Sequence, residues 1–347
     1  MSKPMREQLD EVFTALVTNG FDFFVRSVHE LAKEQKFSIA HFATGIELLL
    51  KARLFHEHWT LIASEPHNCA WTSVKDGTVR TLQASDLCAA ITSTTGTPLN
   101  HEKAAFDLVF KHRNRVLHWA PNGDLAATVA EQCLAWHHLR ALLTGPWKEF
   151  FEPFKKRIDE VEKLLLAHRQ YLQVRFDHHE KKLNGMEKAG RLLTCPSCSF
   201  RAGVAAEGAE RVVSFECLVC GYSASAARVA CDALYALDDL PVTDCECGDE
   251  THDREELLDA LDPTPNMRPK EMSMYEPDRG YCSECLEPEP TVAANGGGYT
   301  CVACGATFEP LDSTSCGWCN ERWFGWDSEG SYLSGCEHCD GRGMDDD

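Results

Sequence analysis

Basic residues run short halfway along this chain. Of its 34 lysines and arginines only 10 fall in residues 191–347, against 31 aspartates and glutamates, a balance of −21; residues 1–190 hold 24 and 23, a balance of +1. A surface as acidic as the second half repels phosphate, which argues against sequence-specific nucleic-acid binding there. Histidine is equally scarce, with 2 of 15 beyond residue 190, so any metal chemistry in that half must rest on sulfur. Long apolar runs are absent, and nothing reads as a membrane span. The opening Met1–Phe13 shows neither a basic n-region nor a small-residue cleavage site. The expected compartment is therefore the reducing cytoplasm, where 18 cysteines stay free for metal instead of forming disulfides. A length of 347 residues suits two or three domains, and 44% apolar and 25% charged residues are ordinary for a globular protein.

What the second half has instead is thiol. Twelve cysteines form six Cys-x-x-Cys pairs between Cys195 and Cys339, and two sulfurs so spaced grip one tetrahedral zinc. Three pairs are followed by Gly221, Gly305 and Asn320, residue types that accept the left-handed backbone in which amides point at sulfur. Taken in order, Cys195, Cys198, Cys217 and Cys220 make one site with 18 residues between its pairs. Cys282, Cys285, Cys301 and Cys304 make a second with 15 between, and Cys316, Cys319, Cys336 and Cys339 a third with 16. Only 11 residues separate the last two sites, so an interleaved pairing of the last four knuckles stays open. Four sulfurs leave no position for water or substrate, so about three structural zinc ions are expected, replacing core that such small modules cannot build. Cys245, Cys247 and His252, with Cys231, form a further group of irregular spacing. Cys336-Glu-His-Cys339-Asp-Gly341-Arg-Gly343 resembles one repeat of the zinc domain of J-protein chaperones, although the other pairs lack the Gly-x-Gly.

Apolar residues recurring at three and four predict a first half that is helical almost throughout. The expected helices are Gln8–Val17, Phe21–Lys36, Ile39–Ile62 with Ser38 as N-cap, Ser85–Thr92, His101–Trp119 and Asp124–Leu143. After Pro153 a long helical run to about Leu183 carries a heptad-like seam of Phe154, Ile158, Val161, Leu165, His168 and Leu172. That seam suits either a helix packed on its own bundle or a dimer-forming coiled coil. Beyond Leu193 short strands surround the knuckles, Ser223–Leu240 reads as a helix, and Asp249–Asp278 as an acidic, proline-bearing linker. The expected fold is an all-α helical bundle followed by small zinc-ribbon modules. Its parts are a bundle over residues 1–145, a connector over 146–190, a first ribbon over 191–240, a linker over 241–280 and a paired ribbon module with an acidic tail over 281–347.

Arg113-Asn114-Arg115-Val116-Leu117-His118 closes a predicted helix ahead of Pro121. A guanidinium holds phosphate in a fork, and an imidazole, which titrates near neutrality, moves protons at the oxygens of the same group. Asn114 and His118 are four apart and share a helix face, whereas Arg113 needs its long side chain to reach it. The plainer reading makes Arg115 and His118 surface residues and Arg113 a salt-bridge donor. The hexad resembles the R-[polar]-x-x-x-H signature of HEPN domains, which are all-helical bundles. Upstream, Gly45-Ile46-Glu47-Leu48-Leu49-Leu50-Lys51-Ala52 resembles the helix that precedes the signature there, and the likeness covers about residues 5 to 145. The resemblance implies a metal-independent endoribonuclease built by pairing two copies, with Arg113 and His118 catalytic and Asn114 supporting them. Glu47 and Lys51 are further candidates on the facing helix. In that chemistry His118 assists attack of a ribose 2′-OH on its own phosphate, Arg113 stabilises the crowded phosphate, and a 2′,3′-cyclic phosphate results.

Two functions follow as expectations. One is a cytoplasmic ribonuclease, a toxin or antiviral effector acting on RNA as a homodimer, whose acidic zinc-ribbon half senses a protein partner or restrains the cleft. The other is a non-catalytic adaptor that dimerises through its helices and recruits proteins through its ribbons.

Overall fold

Gly20 falls where the first helix is expected to break, yet α1 runs unbroken over Lys3–Glu30. The cause is tertiary. A Cβ on Gly20 would lie 2.9 Å from Leu49 Cδ2, and one on Gly45 would lie 2.9 Å from the Phe24 ring and 3.0 Å from the Gly20 carbonyl oxygen. The two glycines thus let α1 and α2 (Gln35–Glu57) meet at backbone distance, and that packing offsets the roughly 1 kcal/mol of helix propensity each glycine forfeits. Ser38, expected as an N-cap, lies inside α2 and is buried. Its hydroxyl donates to the Ser27 carbonyl at 2.9 Å and accepts from Gln132 Nε2 at 3.0 Å, so it joins helices instead of starting one.

The structure, a computed structural model, describes residues 3–119, 125–245, 251–262, 279–329 and 331–339, and falls into two units, residues 1–175 and 176–347. In the first unit α3 (Trp71–Lys75), α4 (Ala84–Thr95), α5 (Asn100–His118), α6 (Leu125–Thr144) and α7 (Lys148–Phe151) follow. The core is one cluster centred on Phe21, Phe24, Phe42, Ile46 and Trp136; Phe24 lies edge-on to Phe42 and Trp136, with ring centroids 4.9 and 5.2 Å away. Gly96 ends α4 in the left-handed conformation, φ 72°, its N–H returning to the Thr92 carbonyl at 2.9 Å.

The long run expected after Pro153 is two helices, α8 (Lys155–Leu166) and α9 (Arg169–Lys188). Ile158, Val161 and Leu165 of the heptad-like seam are buried in the bundle's own core. The interruption turns Tyr171 inward, where its hydroxyl donates to Glu162 Oε2 at 2.6 Å. Glu162 is 7% exposed and serves as a hub. Oε2 also accepts from Trp136 Nε1 at 2.8 Å, Oε1 accepts from Arg175 Nη1 at 2.9 Å, and Arg140 Nε stands 3.3 Å from Oε2 as a charge contact.

The second unit opens with five short antiparallel strands in sequence order: β1 (Leu192–Thr194), β2 (Arg201–Ala205), β3 (Val212–Cys217), β4 (Ser223–Arg228) and β5 (Leu234–Ala236). Ser223–Leu240, expected as a helix, therefore supplies two strands and one 3-10 turn at Leu237–Asp239. Its alanines favour helix locally, but pairing of Ala224, Ala226 and Ala227 with β3 overrides that preference. The expected linker contains α10 (Arg254–Leu261), started by Asp253, whose carboxylate accepts from the Glu256 amide at 2.8 Å; residues 263–278 lie outside the described part. Then come β6 (Tyr281–Cys282), β7 (Val292–Asn295), β8 (Gly298–Cys301), β9 (Thr307–Phe308), β10 (Ser313–Ser315) and β11 (Arg322–Phe324), forming sheets β7-β8-β9 and β10-β11-β6. Asn295 joins the modules by pairing its side-chain amide with β3, donating to the Val212 carbonyl at 2.8 Å and accepting from the Val212 amide at 3.3 Å. No helix among the described residues is long and apolar enough to cross a membrane.

Candidate metal centres and the end of helix α5

The first two ribbons bring their knuckles together through the hairpins β2–β3 and β7–β8, the third through β11 and a short helix at Ser331–Ser334, and the pairing is sequential. The interleaved alternative is excluded. Cys195 and Cys198 meet Cys220 and Cys217 at sulfur–sulfur distances of 3.7 and 3.6 Å. Cys282 and Cys285 meet Cys304 and Cys301 at 3.7 and 3.7 Å, and Cys316 and Cys319 meet Cys339 and Cys336 at 4.0 and 3.6 Å. A zinc ion with sulfur at about 2.3 Å makes a tetrahedron with edges of about 3.8 Å, so all three groups could hold zinc. Amides already aim at sulfur: Cys220 N lies 3.5 Å from Cys217 Sγ, Trp318 N 3.5 Å from Cys316 Sγ and Cys336 N 3.4 Å from Cys339 Sγ.

Of the three knuckles without a following glycine or asparagine, the two whose next residue is among the described ones adopt the same turn regardless. Ser199 and Leu286 have φ of 59° and 53°, beside Gly221, Gly305 and Asn320 at 77°, 76° and 67°. Leu286 is 52% exposed, so its side chain contributes little packing to offset that backbone. A left-handed β-carbon costs roughly 1–2 kcal/mol, and glycine's unfolded freedom returns roughly 0.5–1 of it. Leu286→Gly is therefore expected to stabilise the second ribbon by up to about 1 kcal/mol, read as a higher denaturation midpoint with zinc bound; an unchanged or lower midpoint would show the turn to be unstrained.

Without metal, several of these thiols resist ionisation. Burial pushes Cys198 and Cys304 up to about 11 and Cys217 and Cys319 further still. Two go the other way: hydrogen bonds from the Tyr222 amide and the neighbouring cysteines outweigh burial and lower Cys220, and Cys301 is held down at about 4 by a hydrogen bond from Cys282, with the Thr291 hydroxyl 3.2 Å away and the Cys304 and Ala303 amides adding to it. Cys88 and Cys133, expected as packing residues, are buried in the helical core, and burial pushes both thiols up to about 12; Cys69 is half-buried against the same core.

A fourth group comes together from three separate segments. Cys231, Cys245 and His252 place their ligand atoms within 4.8 Å of one another, while Cys247, named with them from the sequence, lies outside the described residues.

α5 ends at His118, three residues ahead of Pro121, with Trp119 in extended conformation. Ala105, Phe106, Val109, Phe110 and Val116 bury one face of the helix. Asn114 and His118 lie together on the exposed side. Five residues of helix put Arg113 about 140° around the axis from His118. It is half-buried, with its guanidinium carbon 6.0 Å from the Phe110 ring centroid and its Nε without an acceptor among the described residues. Glu47 and Lys51 satisfy each other in an ion pair at 2.6 Å, and Lys51 is 9% exposed.

The sequence reading passed over His112. It is 4% exposed, its Nδ1 lies 2.6 Å from Glu131 Oε2, and it lines a cavity of about 360 Å³ with Lys33, Lys36, Phe37, Val116 and Thr128. Its position three after Val109 and four before Val116 was the available sign that it faces inward. Comparison with protein-family models, with curated proteins and with solved structures finds no match to this chain in any of the three.

Proposed function

We propose that the helical unit is a metal-independent endoribonuclease of the HEPN kind whose site is completed by two copies of the chain. Three zinc ions, each held by four cysteines, staple the acidic half, which restrains RNA access or senses a protein partner. The observation that carries the reading is the unpaired charge at the end of α5. Five other arginines of this unit meet a carboxylate: Arg26 with Glu30, Arg53 with Glu57, Arg140 and Arg175 with Glu162, and Arg157 with Asp22 and Glu160. Arg113 and Arg115, like Arg6 and Arg80, meet none among the described residues, and of these four only Arg113 and Arg115 stand beside a histidine at one helix end. Guanidinium groups left without an acid beside an exposed imidazole suit a phosphodiester. Because Arg113 and His118 diverge around α5, the Arg113 that faces a given His118 comes from the second copy. Leu108, Leu117 and Trp119, 44%, 47% and 80% exposed on the same helix and its end, supply apolar surface for that pairing.

In buffer without magnesium, His118→Ala and Arg113→Ala are each expected to lower RNA cleavage about 10²–10⁴-fold, with 2′,3′-cyclic phosphate ends on the wild-type products. Mixing the two variants should restore activity, since a mixed pair keeps one site with both groups. Cleavage unaffected by either substitution sinks the nuclease reading, and loss without restoration places both groups in one chain.

An adaptor role has its own support. The last ribbons expose Leu311 at 94%, Leu333 at 89%, Tyr332 at 75% and Trp318 at 46%, a share of apolar surface that suits a protein contact.

A further inference from the structure

We infer that Cys231, Cys245 and His252 form a fourth zinc site, distinct in chemistry from the three four-cysteine centres, and that its metal clamps α10 against the end of the five-stranded sheet. Cys231 Sγ lies 3.5 Å from Cys245 Sγ and 3.5 Å from His252 Nε2. Zinc holding sulfur at about 2.3 Å and nitrogen at about 2.0–2.1 Å sets sulfur–sulfur edges of about 3.8 Å and sulfur–nitrogen edges of about 3.5 Å, close to both distances.

The surroundings are those of a built ligand set. His252 is 0% exposed. Its Nδ1 stands 2.9 Å from Glu256 Oε2, so the carboxylate takes the Nδ1 proton and leaves the Nε2 lone pair facing the sulfurs. Tyr235 donates its hydroxyl to Cys245 Sγ at 3.3 Å, which favours the thiolate. The His252 backbone is fixed as well, exchanging hydrogen bonds with Val242 at 2.8 and 2.9 Å. Binding expels the two thiol protons to solvent, and two thiolates with a neutral imidazole leave the centre without net charge, whereas four thiolates around one zinc dication carry −2.

The ligands tie three pieces of chain. Cys231 lies in the turn between β4 and β5, where Asp232 has φ 66°; Cys245 follows β5; His252 precedes α10. Leu257 and Leu258 of α10 pack in one cluster with Val212 of β3, Ala293 of β7 and Val302. Metal at this site therefore fixes the helix whose apolar face joins the first ribbon to the second.

The test is metal content of the purified full-length, zinc-loaded chain, with hydrogen exchange along α10. The wild type is expected to hold four equivalents, and Cys231→Ser and His252→Ala three, with α10 amides exchanging faster in both. Glu256→Gln keeps every ligand and guards against a folding defect: it should still fill four sites while its most labile zinc passes to a competing chelator at about 10-fold lower concentration. Three equivalents in the wild type, or four retained in both ligand variants, overturns the inference.

Discussion

Cys301→Ser is expected to remove one zinc equivalent and melt the β7-β8-β9 sheet. The reason lies in how little else holds that sheet. Its buried cluster consists of Cys282, Val292, Cys301, Phe308 and Phe324, so two of five members are ligands. Structural zinc in small modules contributes on the order of 10–16 kcal/mol of apparent binding free energy at neutral pH, far more than three large apolar side chains bring at about 1.5–3 kcal/mol each. Serine offers no thiolate, and the hydrogen bonds from Thr291 and from the Ala303 and Cys304 amides lose the charge they stabilise. Metal analysis should show one equivalent fewer, and β8 amides should lose protection from hydrogen exchange. An unchanged metal count would show that the remaining three sulfurs suffice.

The same site gives a pH sign. A metal-free Cys304, pushed up to about 11 by burial, is protonated at neutral pH, so zinc uptake must release its proton. Metal-free folding favoured by that raised thiol is fully present below its ordinary range near 9 and is lost as pH rises towards 11. Zinc inverts the sense, because bound thiolates must be reprotonated before the ion leaves. Retention therefore falls as pH falls, and zinc release during an acid titration reports it.

Glu162→Leu is expected to destabilise the helical unit by about 3–5 kcal/mol, because it removes the one buried carboxylate on which two guanidinium groups, an indole N–H and a phenol converge. For a unit of this size that is a fall in thermal midpoint of roughly 6–20 °C, readable by helical circular dichroism. Glu162→Gln keeps the shape and part of the hydrogen bonding, so its loss should be smaller. A change below about 1 kcal/mol in the leucine variant would mean that water reaches the hub and replaces the carboxylate. The network ties α6, through Trp136 and Arg140, to α8 and to Tyr171 and Arg175 of α9.

The parts legible in the sequence are those written in local spacing. Two cysteines three apart report ligand geometry directly, so all twelve were identifiable, and the amphipathic pattern of α5 located that helix to within one residue at each end. What depended on distant neighbours was hidden. Gly20 looks like a helix break until Leu49 is placed against it, and the Ala-rich stretch after Ser223 looks helical until β3 pairs with it. The grouping of Cys231 with Cys245 and His252 was legible only as irregular spacing, since the turn after β4 and the Val242 bridge create their proximity. Helical register sets Arg113 off the face of Asn114 and His118, so only its long side chain could bring it to them, and its guanidinium carbon lies 6.0 Å from the Phe110 ring centroid.

β11 is only three residues long, yet successive side chains face different metal groups. Trp323 packs with Tyr281, Cys316, Cys336 and Cys339, while Phe324 packs with Cys282, Val292, Cys301 and Phe308. In register, Trp323 pairs with Tyr281 and Phe324 with the ligand Cys282 itself. The last two centres thus share a party wall, and neither can lose its ion without loosening the partition that shapes the other. A chain that has lost one of the two ions is therefore expected to hold the other more weakly.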